Sequence, residues 1–550
     1  MTFGYYDLGP YSRPVTTSSP EAQLWFDRGL NWCYGYHHAE AETCFRNALA
    51  HDPECALAWW GLAYVNGCNY NKPWVAFDPD DARRSIEVAF SATRSALALQ
   101  ERVTREEALL IGALPHRYQQ SEPAEDLERW NDDFAGAMRT AYEAAPHDLE
   151  IAAIFAEALM NRTPWQLWDI VAGAPAPGAD TGEIVAVLEA GLRLPGGYAH
   201  PGLLHLYIHA LEMSPYPERA LAAANALRDL VPDAGHLRHM PTHIDVLVGD
   251  YDAVIRSNSR AIEADRKFLE RAGPANFYSL YRCHNYHFRI YGAMFAGQYQ
   301  TAIETADEMV STLPEEVLRI ESPPLADWLE GFVSVRQHVL VRFGKWHDII
   351  RQELPANRKL FAVTTAMTWY AKAVANGVIG DVRAARECAS QFEAAYAEVP
   401  PSRYIFNNRC LDILDVGRQM MLGEIAYREA DYETAFAHLR RSVELDDNLP
   451  YDEPWGWMQP ARHALGALLL EQGRVEEAFA VYRADLGLDP VLPRPCQHPD
   501  NIWSLKGYHE CLTLLGRHDE ASGIEEKIRR VEGLADVSVK VSCFCRKSVA

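Results

Sequence analysis

One stretch near the start constrains the fold more than any other. Trp25, Gly29, Trp32, Ala41, Phe45, Ala48 and Pro53 take relative positions 4, 8, 11, 20, 24, 27 and 32 of a 34-residue unit, and Trp59 follows Trp25 by 34 residues. Two short antiparallel helices require this order: small residues let the axes cross closely, and large ones fill the space between. Turns of glycine followed by an aromatic or aliphatic residue recur at Gly249-Asp250-Tyr251, Gly297-Gln298-Tyr299, Gly344-Lys345-Trp346, Gly380-Asp381-Val382, Gly473-Arg474-Val475 and Gly516-Arg517-His518, with Asp431-Tyr432 as a variant. Alternation of the β type is scarce between them. The turns stand about one to one and a half units apart, so longer helices or inserted loops absorb the excess.

The pattern resembles the tetratricopeptide repeat (TPR). The expected fold is therefore all-α: a TPR-like helical-repeat solenoid, a superhelix of antiparallel helix pairs, with irregular inserted loops. Expected segments are an arm over 1–20, first TPR-like helices over 21–75, and degenerate repeats with a Trp/Pro loop over 76–199. His-bearing repeats follow over 200–345, C-terminal repeats over 346–535 and a tail over 536–550. Loops are expected at Asn71–Asp81, Pro164–Asp180, Pro314–Pro324 and Asn448–Pro460. The second and fourth carry two Trp each (Trp165 and Trp168; Trp455 and Trp457), which fits either caps over a site or ordinary packing.

Composition excludes several function classes. With 52 basic against 76 acidic side chains the net charge is −24, unsuited to a general binder of nucleic acid or anionic membranes. No apolar run approaches the roughly 18 residues that span a bilayer. Met1 to Pro20 shows no signal-peptide pattern. The 11 Cys include no C-x-x-C and read as reduced thiols, which with the other features predicts a cytoplasmic protein. Cys543 and Cys545 alone would make a poor chelate. Phosphate-binding, dinucleotide-binding, nucleophile-elbow and His-Glu-x-x-His motifs are missing.

The 20 His are distributed unevenly. In the repeat register His205, His209 and Glu212 fall at positions 5, 9 and 12 of one unit. His236, His239 and His243 fall at positions 2, 5 and 9 of the next, and His284 and His287 at 2 and 5 of a third. His338 takes position 9 of the following unit. Spacings of 3, 4 and 3 put positions 2, 5, 9 and 12 on one stripe of the first helix. What the TPR resemblance implies is that this stripe faces the concave groove. Three such helices, at roughly 10 Å, would then turn seven imidazoles into one hollow. Imidazole pairs at i, i+3 or i, i+4 can chelate one ion, so the stripe is read as a site for one or two transition-metal ions. Imidazole donors favour copper or zinc, with iron and nickel as further options. A surface or satisfied core role is the ordinary fate of a lone His, and a peptide-binding groove or a pH-sensing cluster would also use this stripe. His37 and His38 read as turn packing, and Arg462 as an ion-pair partner.

Three segments, His200-Pro-Gly-Leu-Leu-His-Leu-Tyr-Ile-His-Ala-Leu-Glu212, Ala234-Gly-His-Leu-Arg-His-Met-Pro-Thr-His243 and Cys283-His-Asn-Tyr-His287, resemble a family of TPR-like proteins from bacteria and fungi. Asn161–Trp168 and Trp503–Gly507 are similar to the same family, and the Cys283 run is distantly similar to animal tetratricopeptide repeat protein 38. The resemblance implies a shared fold and groove, with His205, His209, His239, His243, His284 and His287 carried over, and it supplies no reaction.

Together these features predict a metal-dependent enzyme acting on a small organic molecule, with oxidoreductase chemistry slightly favoured over hydrolase or lyase chemistry. His205, His209, His239, His243, His284 and His287 are the expected ligands, His200 and His236 stand behind them, and Glu212 is a ligand or general base. The alternative is a non-catalytic adaptor whose groove holds a peptide or protein segment. A protein partner or a second copy of the chain fits either reading.

Overall fold

In a computed structural model, which describes residues 5–547, the chain is an all-α, TPR-like helical-repeat solenoid. The strands among the described residues form two small antiparallel hairpins, Trp168–Asp169 with Ala174–Pro175 and Tyr404–Ile405 with Asn408–Arg409. Two compact units result. One runs to Ile244 and includes Arg260–Phe268; the other takes Asp245–Ser259 and everything from Leu269. The division falls inside the 200–345 stretch.

The first unit opens with α1 (Pro20–Tyr34), α2 (His38–His51) and α3 (Ala56–Val65). Ser19 caps α1 by accepting from the Ala22 N–H, and Pro20 supplies a preset first turn. Phe45 of α2 explains the small residues of the motif. A β-carbon at Gly29 of α1 would come within 2.7 Å of the Phe45 ring, and one at Gly61 of α3 within 2.5 Å. The second unit repeats the device: Tyr482, on helix Val475–Asp485, lies between Gly466 of helix Ala461–Glu471 and Gly507 of helix Ile502–Leu514. Substituting Gly61 or Gly507 by alanine is expected to cost about 1–3 kcal/mol through overpacking. An unchanged denaturant midpoint would argue against this packing.

The turns follow the sequence reading. Gly249, Gly297, Gly344, Gly380, Gly473 and Gly516 all have positive φ, and before Asp431 the same place is taken by Ala430 at φ 61°. This left-handed residue ends one helix and lets the next begin at once. The loops are more structured than expected. Asn69 and Lys72 form an isolated bridge, a helix starts at Pro79, and a short one, Glu315–Leu318, lies inside Pro314–Pro324. Among the described residues no helix is long and apolar enough to cross a membrane. One reading is corrected: Cys543 and Cys545 are not reduced thiols but are joined as a disulfide. Their Cα atoms lie 5.2 Å apart, a separation that suits the bond even at two residues' distance.

Candidate metal centre

Four helices bring the site of the first unit together: α4 (Leu149–Met160), α5 (Pro201–Glu212), α6 (Gly235–His239) and α7 (Pro241–Leu247), the last belonging to this unit as far as Ile244. His200 caps α5. Its Nδ1 accepts from the Leu203 N–H at 3.1 Å, and its Nε2 pairs with Glu150 on α4 at 3.1 Å. Burial opposes ionisation of Glu150, but His200 and Arg13 outweigh it and hold the carboxyl down at about 2. His200 thus fixes where α5 starts, and so the angle at which His205 and His209 point inward.

The ring nitrogens of His205, His209 and His243 follow one rule. His205 Nδ1 lies 2.7 Å from the Tyr34 carbonyl oxygen. His209 Nδ1 and His243 Nδ1 lie 2.9 and 2.7 Å from the two carboxylate oxygens of Glu212. Carbonyl and carboxylate oxygens only accept, so each Nδ1 carries the hydrogen, and in the neutral ring Nε2 keeps its lone pair. Burial, followed by its neighbour His209, holds the pKa of His205 well below the usual imidazole range. Burial and His243 do the same for His209. His236 Nε2 lies 3.2 Å from His205 Nε2, and His239 Nε2 lies 2.8 Å from His243 Nε2. His205, His209 and His236 each offer a ligand atom within 4.8 Å of the others, as do His209, Glu212 and His243. His209 Nε2 is buried and has no hydrogen-bond partner.

The stripe does not line an open groove. His205, His209, His236, His239, His243 and Glu212 are each 0–1% exposed. Aromatic side chains from loops distant in sequence close over them. Tyr36, after α1, lies 4.6 Å from His205 and stacks at 5.7 Å on His236. Tyr70 and Trp165 approach His209 at 5.1 and 5.6 Å and stack on each other. Tyr36 and Trp165 hold positive φ, 53° and 59°, a backbone state unfavourable for bulky residues that persists only where surroundings impose it. Residue-by-residue reading of the sequence missed Tyr36 and Tyr70; only the Trp165 loop carried a signal.

The structure brings His205, His209, His239 and His243 together with Glu212 and His236 inside the first unit. His284 and His287 belong to the second unit, on helix Ser279–Phe295. There His284 packs against Phe406 at 4.6 Å and His287 against Phe332 at 5.3 Å. Glu212 engages both oxygens with imidazole Nδ1 atoms. His37 packs edge-on against Phe268, in keeping with a turn-packing role.

Other imidazoles, His338 and His463 buried and His38 partly so, set a pH dependence. Burial holds His38 and His338 down at about 3, and His463 at about 4 despite its bond to Asp485. The unfolded chain takes up these protons below about 6.5 and the folded chain does not, so stability is full above that pH and falls as pH drops toward about 3. Each residue is expected to contribute about 1.4 kcal/mol per pH unit within its window. Denaturant midpoints between pH 7 and 5 check this; a flat profile would contradict neutral burial.

No family model matches the chain, and no curated protein matches it. Among solved structures the fold is similar to yeast Tom70, at 12% identity over 93% of this chain and 98% of that one, with a TM-score of 0.26. It is also similar to a human IFIT1 dimer with m7Gppp-AAAA, at 13% identity over 88% and 90%, TM-score 0.32. A third similarity is to Naa15/Naa10 bound to HypK-THB, at 13% identity over 93% and 70%, TM-score 0.22.

Proposed function

We propose that the first unit is a metal-dependent enzyme centre for a small organic molecule, with one or two transition-metal ions held by His205, His209 and His236 and by His243 and His239. The observation that carries the reading is the fixed tautomer: oxygen acceptors hold Nδ1 of His205, His209 and His243, leaving three Nε2 lone pairs inside a buried cluster. Metal-binding imidazoles are oriented in this way by carboxylates and carbonyls behind them. Glu212 is then the orienting carboxylate of two ligands. Imidazole donors suit copper or zinc, with iron as a further option. Copper or iron would supply redox chemistry, the favoured class, and zinc would supply activation of water.

The chain's own residues have distinct tasks. Tyr70 and Trp165 exclude water from the His209 side. The buried Tyr70 hydroxyl, beside His209, offers its O–H as a donor to a small polar group there. Burial, then Glu212, pushes this phenol well above its usual range, so it stays protonated. Elemental analysis of the purified chain is expected to find copper, zinc or iron at one or two ions per chain, lost in His209→Ala and His243→Ala. Metal-free native protein, or variants with full metal content, would sink the reading.

A further inference from the structure

The chain's own segment 536–547 lies along a partly open channel of the second unit, with Val539, Val541, Ser542 and Cys545 buried and Asp536, Ser538, Lys540 and Lys547 exposed, and its contacts are those of a bound peptide. The segment leaves helix His518–Glu532 through Gly533, forms no helix or strand, and passes the turns at Gly297, Gly344 and Gly380 in chain order. Asp536 accepts from the Tyr299 and Gln300 N–H groups at 2.6 and 2.8 Å, capping the helix after the Gly297 turn. A β-carbon at Gly297 would lie 3.0 Å from Ala535, one at Gly344 would lie 2.9 Å from Phe544, and one at Gly380 would lie 3.8 Å from Lys547 Nζ. Between these points Val539 and Val541 are buried while Ser538 and Lys540 are exposed, the alternation of an extended strand.

Side chains of the channel hold the main chain of the segment. Buried Arg342, stacked 3.8 Å over Trp503, donates to the Ser542 carbonyl oxygen at 2.5 Å, and Arg428 donates to that of Cys545. The Ser542 hydroxyl pairs with Tyr482 at 2.5 Å and donates to the His463 carbonyl at 3.0 Å. At the far end Glu510 receives both Arg546 guanidinium nitrogens, and Glu471 accepts the Lys547 N–H. A cavity of about 30 Å³ beside the segment is lined by Arg342, His463, Cys543 and Cys545 among others. Arginines on carbonyls read an extended backbone whatever its side chains; small pockets at alternate residues and acidic groups at the end add selectivity.

We propose that this channel is a peptide-binding site, occupied in cis by 536–547, that takes in trans an extended protein segment of the same chemistry: alternating small apolar residues ending in basic ones. The test uses the full chain with a protease site inserted between Leu534 and Asp536, cut after folding, and a fluorescent synthetic peptide of residues 536–547. The labelled peptide is expected to replace the cut segment in folded, helical protein and to leave the uncut chain unlabelled. A peptide of scrambled order, or Arg342→Met in the cut chain, is expected to bind at least ten-fold more weakly. Unfolding of the cut protein as its segment departs would overturn the proposal. So would a segment that never exchanges, or a scrambled peptide that binds equally.

Discussion

Glu212→Gln is expected to lower the metal affinity proposed for the first unit by about 10- to 100-fold without removing a single imidazole. The carboxylate accepts one N–H from His209 and one from His243. Glutamine keeps one acceptor oxygen and puts an N–H₂ donor where the second stood, so one of the two Nδ1–H groups meets a donor. That ring must change tautomer or turn, and its Nε2 lone pair leaves the cluster. The mismatch also leaves a buried donor unsatisfied, worth about 1–3 kcal/mol in metal-free protein. Titration against a competing chelator measures the first effect and denaturant unfolding the second. His209→Ala should lose more affinity than Glu212→Gln. If Glu212→Gln binds metal as the native chain does while His209→Ala does not, the orienting role of the carboxylate fails and the imidazoles stand alone.

Asp485→Ala is expected to be the most destabilising single change in the second unit. This buried carboxylate, at the end of helix Val475–Asp485, accepts from His463 Nε2 at 3.0 Å, His498 Nδ1 at 2.8 Å, Asn501 Nδ2 at 3.0 Å and Ser504 Oγ at 2.5 Å. Burial alone would raise its pKa, but His463 and His498 outweigh that and hold it well below the usual carboxylate range. Alanine leaves four donors facing an empty space, each costing about 1–3 kcal/mol, so a loss of at least about 4 kcal/mol is expected. A loss of that size is a large share of a typical domain's stability. Asp485→Asn, which keeps an acceptor, should lose less. Urea unfolding followed by tryptophan fluorescence reads the difference; a loss under about 1 kcal/mol for alanine would show that the donors find other partners.

The repeat logic was open to a reader of the sequence because it is local. Gly29 and Phe45 sit at fixed offsets, and the turn glycines mark where one helix must stop and the next begin. The helical period also put His205 with His209, and His239 with His243, on one face. Less could be read of what stands opposite that face. Tyr36, Tyr70 and Trp165 come from loops up to 200 residues away from the imidazoles they cover, the separation of Tyr36 and His236. No spacing rule links them, and an expected open groove is a closed cluster for that reason. The same applies to Glu212, whose sequence position gives no sign that both oxygens are spent on imidazole N–H groups.

The sequence by itself determined the helix pairs, the turns between them and the helix faces that carry histidine, since each follows from steric fit over a few residues and from a period of 3.6. The tertiary structure alone decided that the imidazoles are buried, which ring nitrogen keeps its lone pair, and that segment 536–547 packs along the second unit. Burial and hydrogen-bond direction depend on which surfaces meet. Residues hundreds of positions apart meet only once the array has folded.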